Sequence, residues 1–134
     1  MDMSIGLAEA AHGLVGCTFR FHGRDPATGL DCVGVLAAAL ERVGRSVDAP
    51  IAYRLRGGCL DRFDDWASSC GLTEVEDVRP DRPGDILLCE PNSGQFHVMI
   101  IGMGLLVHAH AGLGRVVASP LPVPWPIRRR WQIR

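Results

Sequence analysis

The sequence predicts an α+β domain in which helices come first and an antiparallel sheet follows. In the first half, Val33, Leu36, Ala37 and Leu40 recur with the spacing of one helix face. The second half consists of short apolar runs separated by Gly or Pro, which is typical of strands. This segregated order favours helices packed on an antiparallel sheet. The 134 residues are expected to form a single domain, 1–134.

Three helices are expected, each with one apolar face. Their inward-facing residues are Leu7, Ala11, Leu14 and Val15 in the first, Val33, Leu36, Ala37 and Leu40 in the second, and Leu60, Phe63, Ala67 and Cys70 in the third. Glycines at 16, 44 and 71 are the expected stops. Residues 17–29 carry Pro and several Gly without a period, which predicts a loop.

Five strands are expected, at 86–90, 96–101, 105–110, 115–119 and 127–134. Residues 120–126 are rich in proline, which lacks an amide hydrogen, so this stretch is not expected to pair as an inner strand. The last strand is expected at an edge of the sheet. Its run Arg128–Arg130 is interpreted as a solvated strand face.

Composition excludes several classes of protein. The net charge is −1 and no basic field stands out, so nucleic acid is not an expected partner. No apolar run approaches the length of a membrane span, and no secretory signal is visible at the start of the sequence. Synthesis and folding in the cytosol are therefore expected. Five dispersed cysteines without a CxxC pair favour neither a disulfide framework nor a zinc knuckle.

Cys32 differs from the other cysteines because it follows Asp31 directly at the predicted start of a helix. The Asp31 carboxylate can cap that helix by accepting an amide hydrogen of the first turn. The positive end of the helix dipole favours a thiolate at this position, and a nearby histidine would lower the thiol pKa further. Gly34 keeps the first turn free of bulk. A buried structural thiol that happens to begin a helix is the alternative interpretation.

A thiol nucleophile needs a base, and two histidines occupy neighbouring predicted strands. His97 and His108 lie on either side of the turn at residues 102–104. A two-residue turn with Gly102 and Met103 at its centre places His97 directly opposite His108, on the same face of the sheet.

Two other registers stay open. If the turn is centred one residue further along, His97 faces His110 and His108 becomes its diagonal neighbour on the same face. A three-residue loop would place an alanine opposite His97 and separate the histidines. Facing histidines can also be hydrogen-bonded core groups or metal ligands. No third ligand position is evident, so no metal site is expected.

Taken together, these residues resemble the NlpC/P60 family of cysteine peptidases. The family pattern has an aromatic-containing loop, then Gly, a hydrophobic residue, Asp, Cys, a small residue and Gly, as in "FRFHGRDPATGLDCVG". A Pro-Gly-Asp turn into a strand follows in "RPGDILLC", then "HVMI" at His97 and "LVHA" at His108. The four motifs occur in the family's order and cover roughly residues 13–118.

The resemblance implies a papain-like α+β fold with the nucleophile at a helix start, packed on the C-terminal antiparallel sheet. It also implies roles for individual residues. Cys32 matches the nucleophile, His97 the base and His108 the polar residue that orients the base. No cofactor is expected. The backbone amide of Cys32 would stabilise the oxyanion.

Departures from the family pattern concern the substrate side of the site. Val33 stands where many members have a serine that helps to hold a substrate amine, and Phe19 matches a common tyrosine. His22 or Arg24 in the same loop are candidates to replace the lost hydroxyl contact. Asp31 is retained and is expected to touch a substrate ammonium.

Members of the family mostly hydrolyse amide bonds in bacterial cell-wall peptides, so a peptidoglycan stem peptide is the expected substrate. With neither a signal nor a wall-binding module visible, the sequence resembles the short forms encoded with phage tails. Phage-tail or phage-like particle proteins are therefore expected partners, with the cell wall as the site of action. Acyl transfer by the same thiol and a non-catalytic structural role in a particle are the alternatives.

Overall fold

The computed structural model describes residues 3–45, 47, 60–76 and 80–133. The last residue of the predicted strand 127–134 therefore lies outside the described residues. Three helices are present: α1 (Met3–His12), α2 (Cys32–Arg42) and α3 (Leu60–Ser69). The eight described strands are β1 (Arg24–Asp25), β2 (Gly29–Leu30), β3 (Leu72–Glu74), β4 (Ile86–Asn92), β5 (Gln95–Ile101), β6 (Leu105–His110), β7 (Arg115–Pro120) and β8 (Ile127–Ile133).

The predicted α+β class is confirmed. Six strands form one antiparallel sheet in the order β3-β8-β4-β5-β6-β7, and β1 pairs with β2 as a separate short hairpin. The expectation that residues 127–134 form an edge strand is wrong, because β8 lies between β3 and β4. The sequence predicted neither β3 nor the hairpin of β1 and β2, which lies in the stretch expected to be a loop, because strands of two or three residues are too short to carry a pattern.

Helix α2 is the centre of the packing. It runs from Cys32 to Arg42, and every residue from Cys32 to Leu40 is buried. It packs against α1 and against strands β5 and β6. The small side chains at 37–39 allow these neighbours to approach closely on several sides of the helix. None of the described helices has the length and apolar character needed to span a membrane.

Helix α1 ends earlier than expected. Its last residue is His12, and a turn follows in which Leu14 and Val15 donate to carbonyls three residues back. Leu14 still reaches the core, whereas Val15 is 42% exposed and does not belong to the inner face. The apolar spacing of the sequence therefore extends beyond His12, where the helix ends and tighter turns follow.

The hairpin between β5 and β6 adopts the second of the three possible registers. Ile100 pairs with Val107, and the Gly102 amide donates to the Leu105 carbonyl at 2.7 Å. The turn is therefore centred on the two residues after Gly102. The Met103 amide donates to Nε2 of His12 at 3.0 Å, so the end of α1 is attached directly to this turn.

The interpretation of Arg128–Arg130 as a solvated strand face is wrong for its last member. Arg130 is 3% exposed and forms ion pairs with Asp81 at 2.9 Å and Asp85 at 3.2 Å. Asp85 is itself buried and belongs to the turn that leads into β4. Because a charge is retained in the interior only when it is paired, this contact fixes the turn against β8.

Each face of the large sheet is covered by a different layer. The helices cover one face and complete the larger apolar core. On the other face, a second cluster contains Leu87, Cys89, Met99, Ile101 and Leu106. Leu121, Val123 and Trp125 of the proline-rich segment 120–126 pack on that cluster. Residues 121–126 lie outside the strands, as their prolines predict.

Candidate active site

The start of α2 has the predicted capping geometry. Asp31 is the N-cap residue, and its Oδ1 accepts a hydrogen bond from the Gly34 amide at 2.8 Å. A Cβ atom at Gly34 would lie 2.0 Å from the Gly23 carbonyl oxygen, so only glycine permits the loop to approach the helix here. These contacts hold Cys32 in the first turn of the helix.

Asp31 also ties the preceding loop to the helix. Its Oδ2 accepts from the His22 backbone amide at 2.9 Å, and Arg24 Nη1 lies 3.1 Å from Oδ1. The carboxylate is only 1% exposed. His22 has a φ of 58°, in the left-handed region that residues other than Gly seldom adopt. Asp31, His22 and Arg24 are not among the described residues that line the cleft at Cys32.

The structure brings the predicted chemical groups together in one cleft of about 550 Å³. Cys32 lies at the helix side of this cleft, and His97 and His108 lie at the sheet side. The backbone amide of Val98, the residue after His97, donates a hydrogen bond to the Cys32 sulfur. The beginning of β5 therefore packs directly against the first turn of α2.

The histidines form a hydrogen-bonded chain that continues to a serine. His97 Nε2 lies 3.0 Å from His108 Nδ1, and His108 Nε2 lies 3.0 Å from Ser119 Oγ. When Ser119 Oγ accepts a hydrogen bond from His108 Nε2–H, His108 Nδ1 carries no proton and accepts a hydrogen bond from His97 Nε2–H. In that arrangement His97 Nδ1 carries no proton and is the ring nitrogen that can accept one from the thiol.

His110 makes a different contact. Its Nδ1 accepts a hydrogen bond from the Leu113 amide at 3.0 Å, and the residue is exposed. It thus caps the turn between β6 and β7. In the observed register His108 is the diagonal neighbour of His97, and it is nevertheless the histidine that contacts the His97 ring.

Trp125 covers the two histidines. Its ring lies 5.8 Å from that of His97 and 6.3 Å from that of His108, both nearly perpendicular. Trp125 and Ser119 were missed from the sequence as site residues. A tryptophan in a proline-rich stretch and a serine near a strand end give no local signal of where the chain returns to the sheet.

Phe19 and Val33 lie in different environments. Phe19 is half-buried, lines the cleft and packs edge-on against Phe21 with ring centroids 5.0 Å apart. Val33 is 1% exposed and belongs to the large apolar core. The side chain that follows the cysteine therefore supports packing in this chain.

Burial governs the protonation of the site. Removal from water, together with the nearby Asp31 carboxylate, raises the pKa of Cys32 to about 12 against the opposing effect of backbone amides. This outcome contradicts the expectation that the helix start lowers the thiol pKa. Removal from water and the neighbouring histidines lower the pKa of His97 to about 4. Removal from water and the neighbouring His110 lower the pKa of His108 to about 4.

At neutral pH the Cys32 thiol and the His97 imidazole, which line the same cleft, are thus both neutral. These protonation states differ from a preformed thiolate–imidazolium ion pair. Within residues 3–45, 47, 60–76 and 80–133, no group of three or more His, Cys, Asp or Glu side chains is arranged to hold a metal ion.

The fold is that of NlpC/P60 domains. NlpC2 from Trichomonas vaginalis superposes with a TM-score of 0.72 and 20% identity, covering 98% of this chain and 47% of that one. The NlpC/P60 domain of the peptidoglycan hydrolase SagA gives 0.67 and 21% identity, covering 97% of this chain and 98% of that one. The peptidoglycan hydrolase RipB from Mycobacterium tuberculosis gives 0.64 and 20%, with coverage of 97% and 64%.

The chain therefore has the NlpC/P60 fold, as the sequence motifs implied. It spans about half the length of the two Trichomonas vaginalis structures, NlpC1 and NlpC2. No protein-family model and no curated protein matches its sequence.

Proposed function

We propose that this protein is a cysteine peptidase that hydrolyses amide bonds in the stem peptides of bacterial peptidoglycan. The proposal rests on one observation. Cys32, at the start of α2, shares a cleft with His97, and His97 Nε2 is hydrogen-bonded to His108 Nδ1. The fold supports the substrate class, because SagA and RipB are described as peptidoglycan hydrolases.

The first half of the reaction follows from the protonation states. As the Cys32 sulfur attacks the amide carbonyl, His97 Nδ1 accepts the thiol proton. The Cys32 backbone amide, at the positive end of α2, stabilises the developing oxyanion. His97 then donates its proton to the leaving amine nitrogen, which leaves a thioester on Cys32.

The second half restores the thiol. A water molecule loses a proton to His97 and attacks the thioester carbonyl, so that the acyl group leaves as a carboxylic acid and the sulfur regains its proton. His108 and Ser119 keep His97 in the productive tautomer throughout. Trp125 limits the access of water to that pair of rings.

The decisive test replaces the nucleophile. The Cys32→Ala variant should abolish release of peptide fragments from defined muropeptides, measured by mass spectrometry, while its circular dichroism spectrum stays native. Cys17→Ser is the matched control, because Cys17 is half-buried outside the cleft. Full cleavage by Cys32→Ala would refute the proposal. Cleavage by neither the wild type nor the control would favour the non-catalytic alternative.

Acyl transfer is a second candidate because the cleft has an apolar wall. Phe19, Phe21, Phe96 and Trp125 line it, and such a surface suits a long acyl group. In that reaction an amine or alcohol takes the place of water at the thioester. Adding hydroxylamine to the reaction distinguishes the two candidates. A hydroxamate that accumulates faster than the free acid supports transfer, whereas predominant free acid supports hydrolysis.

Action at the cell wall after delivery by a phage-like particle stays a prediction.

A further inference from the structure

We infer that the open edge of β7 is a second binding site, which takes the extended carboxyl-terminal segment of a partner polypeptide as an added antiparallel strand. The site lies next to the cleft at Cys32, because His110 lines both. The inference does not depend on the proposed hydrolysis. It rests on the unpaired part of the strand edge, on the groove beside that edge and on the positive charge in the groove.

Strand β7 is the last strand of the sheet, and only its beginning is covered on the outer side. The Gly16 amide donates to the Val116 carbonyl at 2.9 Å, and the Val116 amide donates to the Cys17 carbonyl at 2.8 Å. Because backbone groups alternate along a strand, the amide and carbonyl of Ala118 point to the same outer side. Among the described residues, no segment pairs with the edge there. A further strand can therefore be added at Ala118.

A groove of about 750 Å³ lies along this part of the edge. Its lining includes Val117 and Ser119 of the strand, together with Val15 and Leu113. Val15 is 42% exposed and Leu113 is 58% exposed, although both side chains are apolar. Exposed apolar side chains beside an unpaired strand edge favour an extended chain with apolar side chains as the ligand.

Arg115 provides the positive charge of the groove. Its side chain is exposed, and it forms no ion pair with another described residue. Neither aspartate nor glutamate occurs among the described residues that line the groove. A carboxylate that binds here would gain charge-assisted hydrogen bonds from the guanidinium without displacing an internal partner. The charge therefore favours an anionic group on the ligand.

The covered beginning of β7 determines the direction of the added chain. Gly16 closes the edge before Val117, so the added strand must end there. An antiparallel chain ends with its carboxylate beside Gly16 and Arg115, both of which line the groove. A parallel chain would instead bring its terminal ammonium to the arginine, where like charges repel. The uncovered stretch 117–120 accommodates about four residues at about 3.4 Å each.

The first test uses a tetrapeptide of L-residues, Thr-Val-Thr-Val, with fluorescein at its amino terminus and its carboxyl terminus free or amidated. By fluorescence polarisation, the acid should bind the wild type at least tenfold more tightly than the amide. Arg115→Gln should weaken binding of the acid at least fivefold and leave that of the amide unchanged. Muropeptide cleavage by this variant should stay at the wild-type level, because Arg115 does not line the cleft at Cys32. Equal affinity for acid and amide, or no binding, would overturn the inference.

A pair of variants at Ala118 tests strand addition itself. Ala118→Pro removes the outward amide hydrogen, and an edge strand tolerates proline where its amide would face outward. Ala118→Ser retains that hydrogen and is the matched control. The acid should bind the serine variant as it binds the wild type and the proline variant at least tenfold more weakly, with native circular dichroism spectra for both. A peptide N-methylated at its third residue, which faces Ala118, gives the same comparison on the wild-type protein. Undiminished binding in both comparisons would exclude strand addition.

The same assays distinguish two other occupants. A stem peptide that ends in D-alanine and displaces the labelled peptide with equal affinity would assign the groove to the substrate and overturn the inference. A second copy of the chain would appear as a dimer in analytical ultracentrifugation. If Ala118→Pro abolishes that dimer while the labelled peptide does not bind the wild type, the edge pairs with itself and the inference is wrong.

Discussion

The two sides of the cleft are built in different ways. At the helix side, Asp31, Cys32 and Gly34 are neighbours in sequence, and one capping interaction positions the sulfur. At the sheet side, His97 and His108 come from two strands, and their contact depends on the register of a hairpin. The nucleophile is thus positioned by local contacts, whereas the base is positioned by long-range ones.

This difference shows which perturbations each side tolerates. A change near Asp31 acts through the loop and the helix cap, so it affects stability first. A change in the chain of hydrogen bonds from His97 to Ser119 leaves the fold in place and affects proton transfer. Four experiments test that division, and we give them from the largest expected effect to the smallest.

Replacing His97 should have the largest effect. His97→Gln removes the base while retaining a polar side chain of similar size, and we expect kcat/KM to fall by a factor of about 10²–10⁴. His110→Gln should cost much less, because His110 caps a turn, whereas His108 is the histidine that lies 3.0 Å from His97 Nε2. Equal losses in the two variants, measured on the same muropeptide, would show that the assignment of the base is wrong.

The pH dependence should follow the lowered pKa of His97, about 4. Activity requires neutral His97, so kcat/KM should stay high below pH 6.5 and fall only as the pH approaches 4. The free energy of unfolding should change in the same direction as the activity. Between pH 6.5 and 4 the unfolded chain binds more protons at this residue, so the free energy of unfolding falls as the pH falls.

The Cys32 thiol should add a second pH dependence of stability, at alkaline pH. The pKa of Cys32 is raised to about 12, so in the folded state it keeps its proton when the unfolded thiol, with its ordinary pKa near 9, loses one. Its contribution to stability is complete below pH 9 and is lost as the pH rises towards 12. Melting curves across both ranges, with Cys32→Ala and His97→Gln as references, check the two signs.

Removing the cap should destabilise the helix side by a moderate amount. Asp31→Ala leaves the Gly34 amide without its partner and Arg24 without its counter-ion, and we expect a loss of roughly 1–2 kcal/mol of unfolding free energy. Urea denaturation measures it. Asp31→Asn keeps an acceptor for one of the two amides and should lose less. If both variants are as stable as wild type, the cap does not hold the nucleophile.

The smallest effect is expected at Ser119. Ser119→Ala removes one hydrogen bond to His108, worth about 0.5–1.5 kcal/mol, so kcat should fall about 2–10-fold without a change in fold. Ser119→Thr keeps the hydroxyl and should restore most of the rate. A loss of the same size in both variants would indicate a packing role in place of proton positioning.

The sequence predicted the helix side of the site more completely than the sheet side, for a physical reason. A cap, a cysteine and a glycine within four positions carry their geometry locally, so the role of Asp31 as the cap is confirmed. The hairpin register was open among three alternatives, since a one-residue shift depends on turn geometry and on the contact of His12 with Met103.

The sequence patterns around each residue also did not predict how deeply the residue is buried. The helix dipole suggested a lowered pKa for Cys32, yet the surrounding core raises it. The sequence predicted an exposed position for Arg130, because its partners Asp81 and Asp85 are remote in sequence. Ser119 and Trp125 reach the histidines only after the chain folds back across the sheet.

The position of β8 has a consequence for assembly of the protein. This strand, Ile127–Ile133, lies between β3 and β4, both of which precede it by a long stretch of chain. Until it docks, the strand at Leu72–Glu74 has no neighbour in the sheet, and the edge of β4 is open to association with another molecule. Because β8 joins segments that are distant in sequence, we expect its docking to be a late step of folding that closes the open edge of β4.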